Sequence, residues 1–265
     1  MSELNKINKK MIDFFKRNGF LILRNILKKK DLVLINKRLK FLEKKQKDGR
    51  GLSEPGIKKS LIHSLRNDKI LYPIIEEKIW FKETSKKLLN CDKIVCWDAK
   101  SNLKKSWNGT VEYFHQDFIY RKMLDFGTNT LNCMIFLDNH SHLNGGLWVF
   151  SGSHKKKYRH KAFLNINSLQ KYFIPRDELN KISRNHKTIS INEKKGSCIF
   201  FHNLLVHGST HNISPFDRKV LLYGIASKED FDKADKLKMK TFNRKERMSF
   251  EKKILKQRLK NINKI

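Results

Sequence analysis

The spacing of the apolar residues changes near residue 92, and this change limits the folds that are open to the chain. Before it, apolar residues recur every three or four positions over 3–18, 31–42 and 68–90, as in amphipathic helices, with a short apolar strand at 20–23. After it come short runs of β-branched and aromatic residues, separated by turns rich in Gly, Asn and Ser. Helices followed by many short strands predict a mainly β fold, a sandwich or barrel with flanking helices.

One of these runs, residues 113–120, contains side chains that can bind a metal. Aromatic and β-branched residues surround its polar centre without Gly or Pro, so we expect a strand. Side chains two positions apart on a strand point to the same face, and His115 and Asp117 should therefore project together. One more histidine would complete the facial triad of two histidines and one carboxylate that is found in non-haem Fe(II) oxygenases.

We interpret His207 as the third ligand, because it lies in a second strand-like stretch at 200–209. Arg218 follows eleven residues later and opens a further apolar strand. A guanidinium one hairpin away from a metal can bind a carboxylate through two parallel hydrogen bonds. Two plainer interpretations stay open: isolated His-x-Asp pairs are common at protein surfaces, and Arg218 could instead pair with Asp217 or Asp138.

The composition favours a cytoplasmic protein that does not cross a membrane. No apolar run approaches the roughly 20 residues that span a bilayer, and the polar N-terminus lacks the apolar segment of a signal peptide. The cysteines show no C-x-x-C spacing, which predicts four reduced thiols, at Cys91, Cys96, Cys133 and Cys198.

The net charge of +32 raises the question of nucleic acid as a partner. Lysine is spread along the whole chain, however, and Lys, Asn and Ile are together abundant, as expected from AT-rich codons. We therefore expect nucleic acid not to be the main partner. The same charge would attract small anionic substrates.

Two basic segments have no assigned role. Residues 155–187 form a lysine-rich insertion that is either a lid over a site or a surface decoration. Residues 227–265 carry fourteen Lys and Arg against six Asp and Glu, without Gly or Pro, and predict a helical tail.

Four stretches together resemble one family and occur in its order. They are an N-terminal helix and strand, a His-Gln-Asp pair, an Asn-Gly-Gly-Leu turn with a Gly-Ser-His segment, and a distal His-Gly-Ser with a later Arg, at 13–23, 115–117, 144–154 and 207–218. The chain thereby resembles the phytanoyl-CoA dioxygenase family of Fe(II)- and 2-oxoglutarate-dependent oxygenases over residues 11–226.

The resemblance implies a double-stranded β-helix, or jelly roll, within one domain at 1–226, made of N-terminal helices at 1–90 and a jelly-roll core at 91–226. It implies an Fe(II) site and a pocket for 2-oxoglutarate. The implied metal ligands are His115, Asp117 and His207, and the implied cosubstrate contacts are Arg218, Ser209 and Met134. Met134 replaces a residue that is usually aromatic in the family. Lys100 and Lys104 are further candidate contacts that the sequence does not place.

The implied reaction consumes O₂ and 2-oxoglutarate, releases succinate and CO₂, and hydroxylates an unactivated C–H bond of a small molecule, with ascorbate as a candidate reductant. Related halogenases lack the carboxylate ligand, so Asp117 favours hydroxylation. The resemblance does not select among acyl-CoA esters, amino acids, ectoine-like osmolytes, phosphonates and natural products. It also leaves the choice between monomer and homodimer open.

Two other functions stay open on the sequence. One is a basic nucleic-acid-binding protein on the same fold, whose binding would depend strongly on salt. The other is a cupin-like metal protein that uses no 2-oxoglutarate, in which Arg218 would be structural. Succinate formation with Fe(II) and 2-oxoglutarate would distinguish the oxygenase from both.

Overall fold

The computed structural model describes residues 7–45, 61–62, 65–109, 111–121, 127–162 and 172–233. The helices in these ranges are Lys9–Asn18 (α1), Lys29–Lys45 (α2), Leu71–Ile74 (α3), Ile79–Leu89 (α4), Phe118–Arg121 (α5), Arg176–Asn185 (α6) and Lys228–Lys233 (α7). The strands are Phe20–Leu23 (β1), Leu61–Ile62 (β2), Ile94–Lys104 (β3), Glu112–His115 (β4), Thr130–Phe136 (β5), Leu147–Phe150 (β6), Lys161–Ala162 (β7), Tyr172–Phe173 (β8), Thr188–Ser190 (β9), Cys198–His202 (β10), His207–Ser209 (β11) and Arg218–Ser227 (β12).

The strands form two main antiparallel sheets. The major sheet has six strands in the order β1-β10-β5-β12-β3-β2, and the minor sheet has four in the order β4-β11-β6-β9. Strands β7 and β8 form a separate hairpin. The order is far from the sequence order, so most neighbouring strands are joined by crossovers between the two sheets, as in a jelly roll.

Neighbouring residues of β10 show how the core is divided. Phe200 and Phe201 are both buried, but consecutive side chains on a strand point to opposite faces. Phe201 packs with Val149 of the minor sheet in the core between the sheets. Phe200 packs on the outer face of the major sheet against Trp80 and Phe81 of α4. Burial on both faces explains why the central strands are nearly continuous apolar runs.

The predicted strand at 20–23 and the end of the first helix agree with the structure, but the helix begins at Lys9 and not at residue 3. Asn8 is its extended N-cap, with φ −102° and ψ 175°, and residues 1–6 lie outside the described ranges. Helix α1 ends at Gly19, whose φ of 79° is left-handed and whose N–H donates to the carbonyl of Phe15. Strand β1 then pairs with β10, so this N-terminal segment is part of the major sheet.

The helix predicted over 68–90 is instead two helices, α3 and α4. Helix α3 ends at Ile74, and the chain is extended at Lys78, with φ −68° and ψ 138°, directly before α4 begins. The prediction that Ile79 faces the core is wrong, because Ile79 is the first residue of α4 and is 57% exposed. Trp80 and Phe81 occupy the inward positions.

Parts of the two basic segments are described. The insertion at 155–187 contains the β7–β8 hairpin and α6, while residues 163–171 lie outside the described ranges. Strand β12 runs to Ser227 and α7 follows, and the predicted tail helix beyond residue 233 also lies outside them. All four cysteines are free, as predicted. Within the described residues, no helix has the length and apolar character needed to span a membrane.

Candidate active site

The strand predicted over 113–120 ends at His115, which corrects the sequence analysis. Asp117 lies in the turn that follows, and α5 begins at Phe118. The Phe118 N–H donates to the carbonyl of Asn203 at 3.1 Å, and the Tyr120 N–H donates to the carbonyl of Asp117 at 3.1 Å. These bonds turn the chain away from the minor sheet, so tertiary contacts override the strand propensity of 118–120. The Asp117 carboxylate nevertheless lies against the His115 ring.

His115 and His207 lie opposite each other on the paired strands β4 and β11. Each ring has its Nδ1 close to a backbone carbonyl, at 2.8 Å from Tyr113 O and 2.9 Å from Leu205 O. A carbonyl oxygen only accepts, so each Nδ1–H donates, and in the neutral ring Nε2 is the nitrogen that can bind a metal.

The two Nε2 atoms face one carboxylate oxygen. Oδ1 of Asp117 is 3.3 Å from His115 Nε2 and 3.8 Å from His207 Nε2. The potential ligand atoms of the three residues all lie within 4.8 Å of one another. Two imidazoles and one carboxylate whose ligand atoms converge in this way fit a facial triad. A facial triad leaves the remaining positions of the metal's octahedron open.

Burial and charge act differently on the two histidines. Burial disfavours the charged form of His115, but the hydrogen bond and charge of Asp117, with Glu112, outweigh it and raise the pKa of His115 above its usual value. Burial, reinforced by the charge of His115, lowers the pKa of His207. Asp117 also acts to raise the pKa of His207, but burial and the charge of His115 outweigh it there.

Asn132 on β5 holds the other oxygen of Asp117. Its Nδ2 donates to Asp117 Oδ2 at 2.5 Å, and its side chain is buried from solvent. The sequence analysis did not single out Asn132. The available signal was a polar residue in the nearly all-apolar run at 130–137, since buried polar groups need a partner.

Two buried cations lie on neighbouring strands of the major sheet. Arg218 and Lys104 are cross-strand neighbours on β12 and β3 and are 3% and 4% exposed. Lys104 Nζ donates to Ser209 Oγ and to the carbonyl of Thr210, both at 2.7 Å. Burial lowers the pKa of Arg218 to about 10 against the opposing charges of Glu112 and Asp138. Its Nε has no hydrogen-bond partner among the described residues.

Glu112 is the nearby counter-charge. It pairs in register with Ser209 across β4 and β11. Burial would raise its pKa, but the charges of Lys104, His115 and Arg218 lower it overall. Glu112 and Asp138 both oppose the charge of Arg218, but the buried Nε of Arg218 has no hydrogen-bond partner among the described residues. The space beside Arg218 and Lys104 is therefore suited to an anionic ligand.

The other candidates take distinct positions. Met134 faces the inter-sheet core on β5, beside Leu222 of β12, and is partly buried. Lys100 lies opposite Leu222 on β3, and its Nζ is 4.0 Å from the Asp98 carboxylate. Of the two lysines that the sequence left unplaced, Lys104 is the one whose ammonium reaches Ser209.

The family model for phytanoyl-CoA dioxygenase (PhyH) matches residues 15–220. The chain belongs to the phytanoyl-CoA dioxygenase family. It is an Fe(II)- and 2-oxoglutarate-dependent dioxygenase, as its motifs predict, and the cluster of His115, Asp117 and His207 fits the metal of such an enzyme.

This dioxygenase is similar to the ectoine dioxygenase of Bordetella parapertussis, at 23% identity over 225 residues, covering 78% of this chain and 71% of the relative. The L-proline trans-4-hydroxylase of Streptomyces griseoviridis is 24% identical over 142 residues, covering 49% of this chain and 53% of that enzyme. The crystal structure of EctD from S. alaskensis with 2-oxoglutarate and 5-hydroxyectoine has a TM-score of 0.72 at 19% identity, covering 87% of this chain and 79% of that one. This likeness confirms the predicted double-stranded β-helix.

Proposed function

We propose that His115, Asp117 and His207 bind the Fe(II) of this dioxygenase through Nε2, Oδ1 and Nε2. The observation that carries the proposal is the convergence of both Nε2 atoms on Oδ1 of Asp117, at 3.3 and 3.8 Å. With each Nδ1–H bound to a backbone carbonyl, the rings are fixed in the tautomer that a metal needs.

The distal carboxylate of 2-oxoglutarate binds Arg218, Lys104 and Ser209 in this proposal. Two buried cations on neighbouring strands support it, because they are costly to bury without an anion. The planar guanidinium can hold a carboxylate through two hydrogen bonds, while the ammonium adds charge and orients the Ser209 hydroxyl. Met134 would form part of the apolar wall along the keto acid.

Bound Fe(II) and 2-oxoglutarate supply O₂ activation and the oxidising power for hydroxylation, with release of succinate and CO₂. The protein's part is to position these groups. The histidines and Asp117 hold the metal on one side and leave the other accessible. Arg218 and Lys104 fix the far end of the keto acid, which sets the orientation of its reactive end. The apolar residues of the inter-sheet core around Val149 and Phe201 limit the entry of water.

The substrate in this proposal is a small molecule that carries both a positive and a negative charge. Asp98, Lys100 and Lys104 are separated by even numbers of residues on β3. Because alternate side chains of a strand point to the same face, these three side chains lie on one face of the sheet. The charge of Lys100 acts on Glu112 of the opposite sheet, which supports an inward orientation. Both side chains are about one-third exposed, at 30% and 34%, and so stay accessible to a ligand.

The similar enzymes support this substrate class. They are named for ectoine and L-proline, and both molecules are small cyclic zwitterions. Lys100 would contact the substrate carboxylate and Asp98 its cationic nitrogen. The two side chains pair with each other at 4.0 Å and could exchange that pairing for the charges of the ligand.

Succinate formation in the presence of Fe(II) and 2-oxoglutarate tests the proposal. Zwitterions such as ectoine and L-proline should stimulate turnover more than analogues with one charge blocked, such as N-acetylproline and proline methyl ester. Lys100→Met and Asp98→Asn should reduce the preference, whereas Lys105→Met, at a surface pair with Asp217, should not. Equal stimulation by zwitterions and blocked analogues would contradict the substrate class.

We also propose that residues 1–226 form a single oxygenase domain and that the enzyme is cytoplasmic, as a monomer or homodimer. The pairing of β1 with β10 ties the N-terminal segment to the jelly-roll core and supports the single domain. Four free cysteines support a reducing compartment. Nucleic acid has no part in this proposal.

A further inference from the structure

The carboxylate of Asp117 is held by two different parts of the fold. Its Oδ1 faces His115 Nε2 at 3.3 Å, whereas its Oδ2 accepts a hydrogen bond from Asn132 Nδ2 at 2.5 Å. The two oxygens therefore have distinct environments. Oδ1 lies on the side of the imidazoles, and Oδ2 lies on the side of the major sheet.

The donor stands in a strand that is paired on both sides, whereas the carboxylate stands in a turn. Asn132 is in the middle of β5, paired on one side with Phe201 of β10 and on the other with Gly224 of β12. It is 2% exposed. Asp117 instead follows the end of β4 in a turn, where the strand ladder no longer fixes its backbone. The orientation of the Asp117 side chain therefore depends on its hydrogen bonds, and Asn132 donates one of them.

We infer that Asn132 is a positioning residue that fixes Asp117 as a ligand through Oδ1 alone. This inference rests on the proposed metal role of Asp117. The hydrogen bond occupies Oδ2 and opposes rotation of the carboxylate, so the second oxygen is kept away from the metal. One-oxygen binding leaves the open coordination positions that a keto acid and O₂ need.

An amide suits this role because it donates without adding charge. A lysine or arginine at position 132 would compete with the metal for the Asp117 carboxylate by its positive charge. Partners of ligating carboxylates of this kind typically change metal affinity or activity by about 10–100-fold when they are removed.

The test uses Asn132→Leu, which keeps the side-chain size and removes the donor, and Asn132→Ala, which removes the donor without adding new contacts. The control is Cys133→Ala. Cys133 is the next residue of β5 and is equally buried, but it points into the core beneath the helices. The full-length metal-free protein is titrated with Co(II), whose visible spectrum reports the coordination number and geometry.

Both Asn132 variants should bind Co(II) about 10–100-fold more weakly than the wild type, because Asp117 is no longer held in place as a ligand. Their visible spectrum should change, because the freed carboxylate can rotate and bind through two oxygens. Cys133→Ala should lower the melting temperature but leave the Co(II) affinity and spectrum unchanged. A purely structural role would instead move only the melting temperature. A folded Asn132 variant with wild-type affinity and spectrum would overturn the inference, whereas failure of the wild type to bind Co(II) would overturn the metal site itself.

Discussion

Arg218 and Lys104 face each other across β12 and β3 with almost no exposure to solvent. Such a pair of like charges is unfavourable in a protein interior unless an anion compensates it. Glu112 provides one negative charge, and its lowered pKa shows that it responds to both cations. Asp138 provides another near Arg218. The carboxylate of 2-oxoglutarate would bind both cations directly, which makes the binding of this cosubstrate the measurement most sensitive to both residues.

Arg218→Ala should weaken 2-oxoglutarate binding by roughly 30-fold or more. Removing one partner of a desolvated charge pair costs about 2–5 kcal/mol, and each 1.4 kcal/mol is about tenfold. Arg218→Lys should recover only part of the loss, because it keeps the charge without the planar fork. Binding is followed by the metal-to-ligand charge-transfer band of the anaerobic Fe(II) protein. Arg38→Ala, which breaks the ion pair with Asp68 away from the site, is the control.

Lys104→Met should weaken 2-oxoglutarate binding by about tenfold while leaving Fe(II) binding nearly unchanged. Methionine keeps most of the length of the lysine side chain, but it removes the charge and the hydrogen bond to Ser209. Lys100→Met is the matched control on the same face of β3, because Lys100 pairs with Asp98 instead. If Lys100→Met reduced 2-oxoglutarate affinity more than Lys104→Met, the assignment of the two lysines would be reversed.

His115→Ala, Asp117→Ala and His207→Ala should each abolish or greatly weaken Fe(II) binding, because each removes one of three protein ligands. Equilibrium dialysis under anaerobic conditions measures the affinity, and circular dichroism checks the fold. His142→Ala is the control, since His142 is an exposed histidine in the β5–β6 connection. Undiminished affinity in a ligand variant would remove that residue from the site.

Metal affinity should fall as the pH is lowered, beginning above pH 6.5. The proton and the metal compete for His115 Nε2, and the pKa of His115 in the metal-free protein is raised above 6.5 by Asp117 and Glu112 despite burial. Affinity is therefore full well above that raised pKa and is lost as the pH falls through it. Co(II) titrations between about pH 8 and about pH 6 test this, since histidine changes charge in that range. A constant affinity over the range would contradict it.

The candidate ligands could be named from sequence because they depend on residue type and short spacing. His115 and Asp117 remain neighbours in space although the strand ends between them, so an incorrect local structure did not change the prediction. The turn at Asp117 was not predictable, because it depends on a hydrogen bond from Phe118 to Asn203, far along the chain. Strand propensity alone favoured continuation.

The sequence by itself determined the mainly β character of the core, the three candidate ligands and the arginine that follows them, since these follow from periodicity and from the chemistry of individual side chains. Only the tertiary structure decided which residues surround them. The register of β3 against β12 places Lys104, rather than Lys100, beside Arg218, and the central position of β5 brings Asn132 to Asp117. Cross-strand contacts of this kind depend on pairings between distant segments, and no local pattern in the chain encodes them.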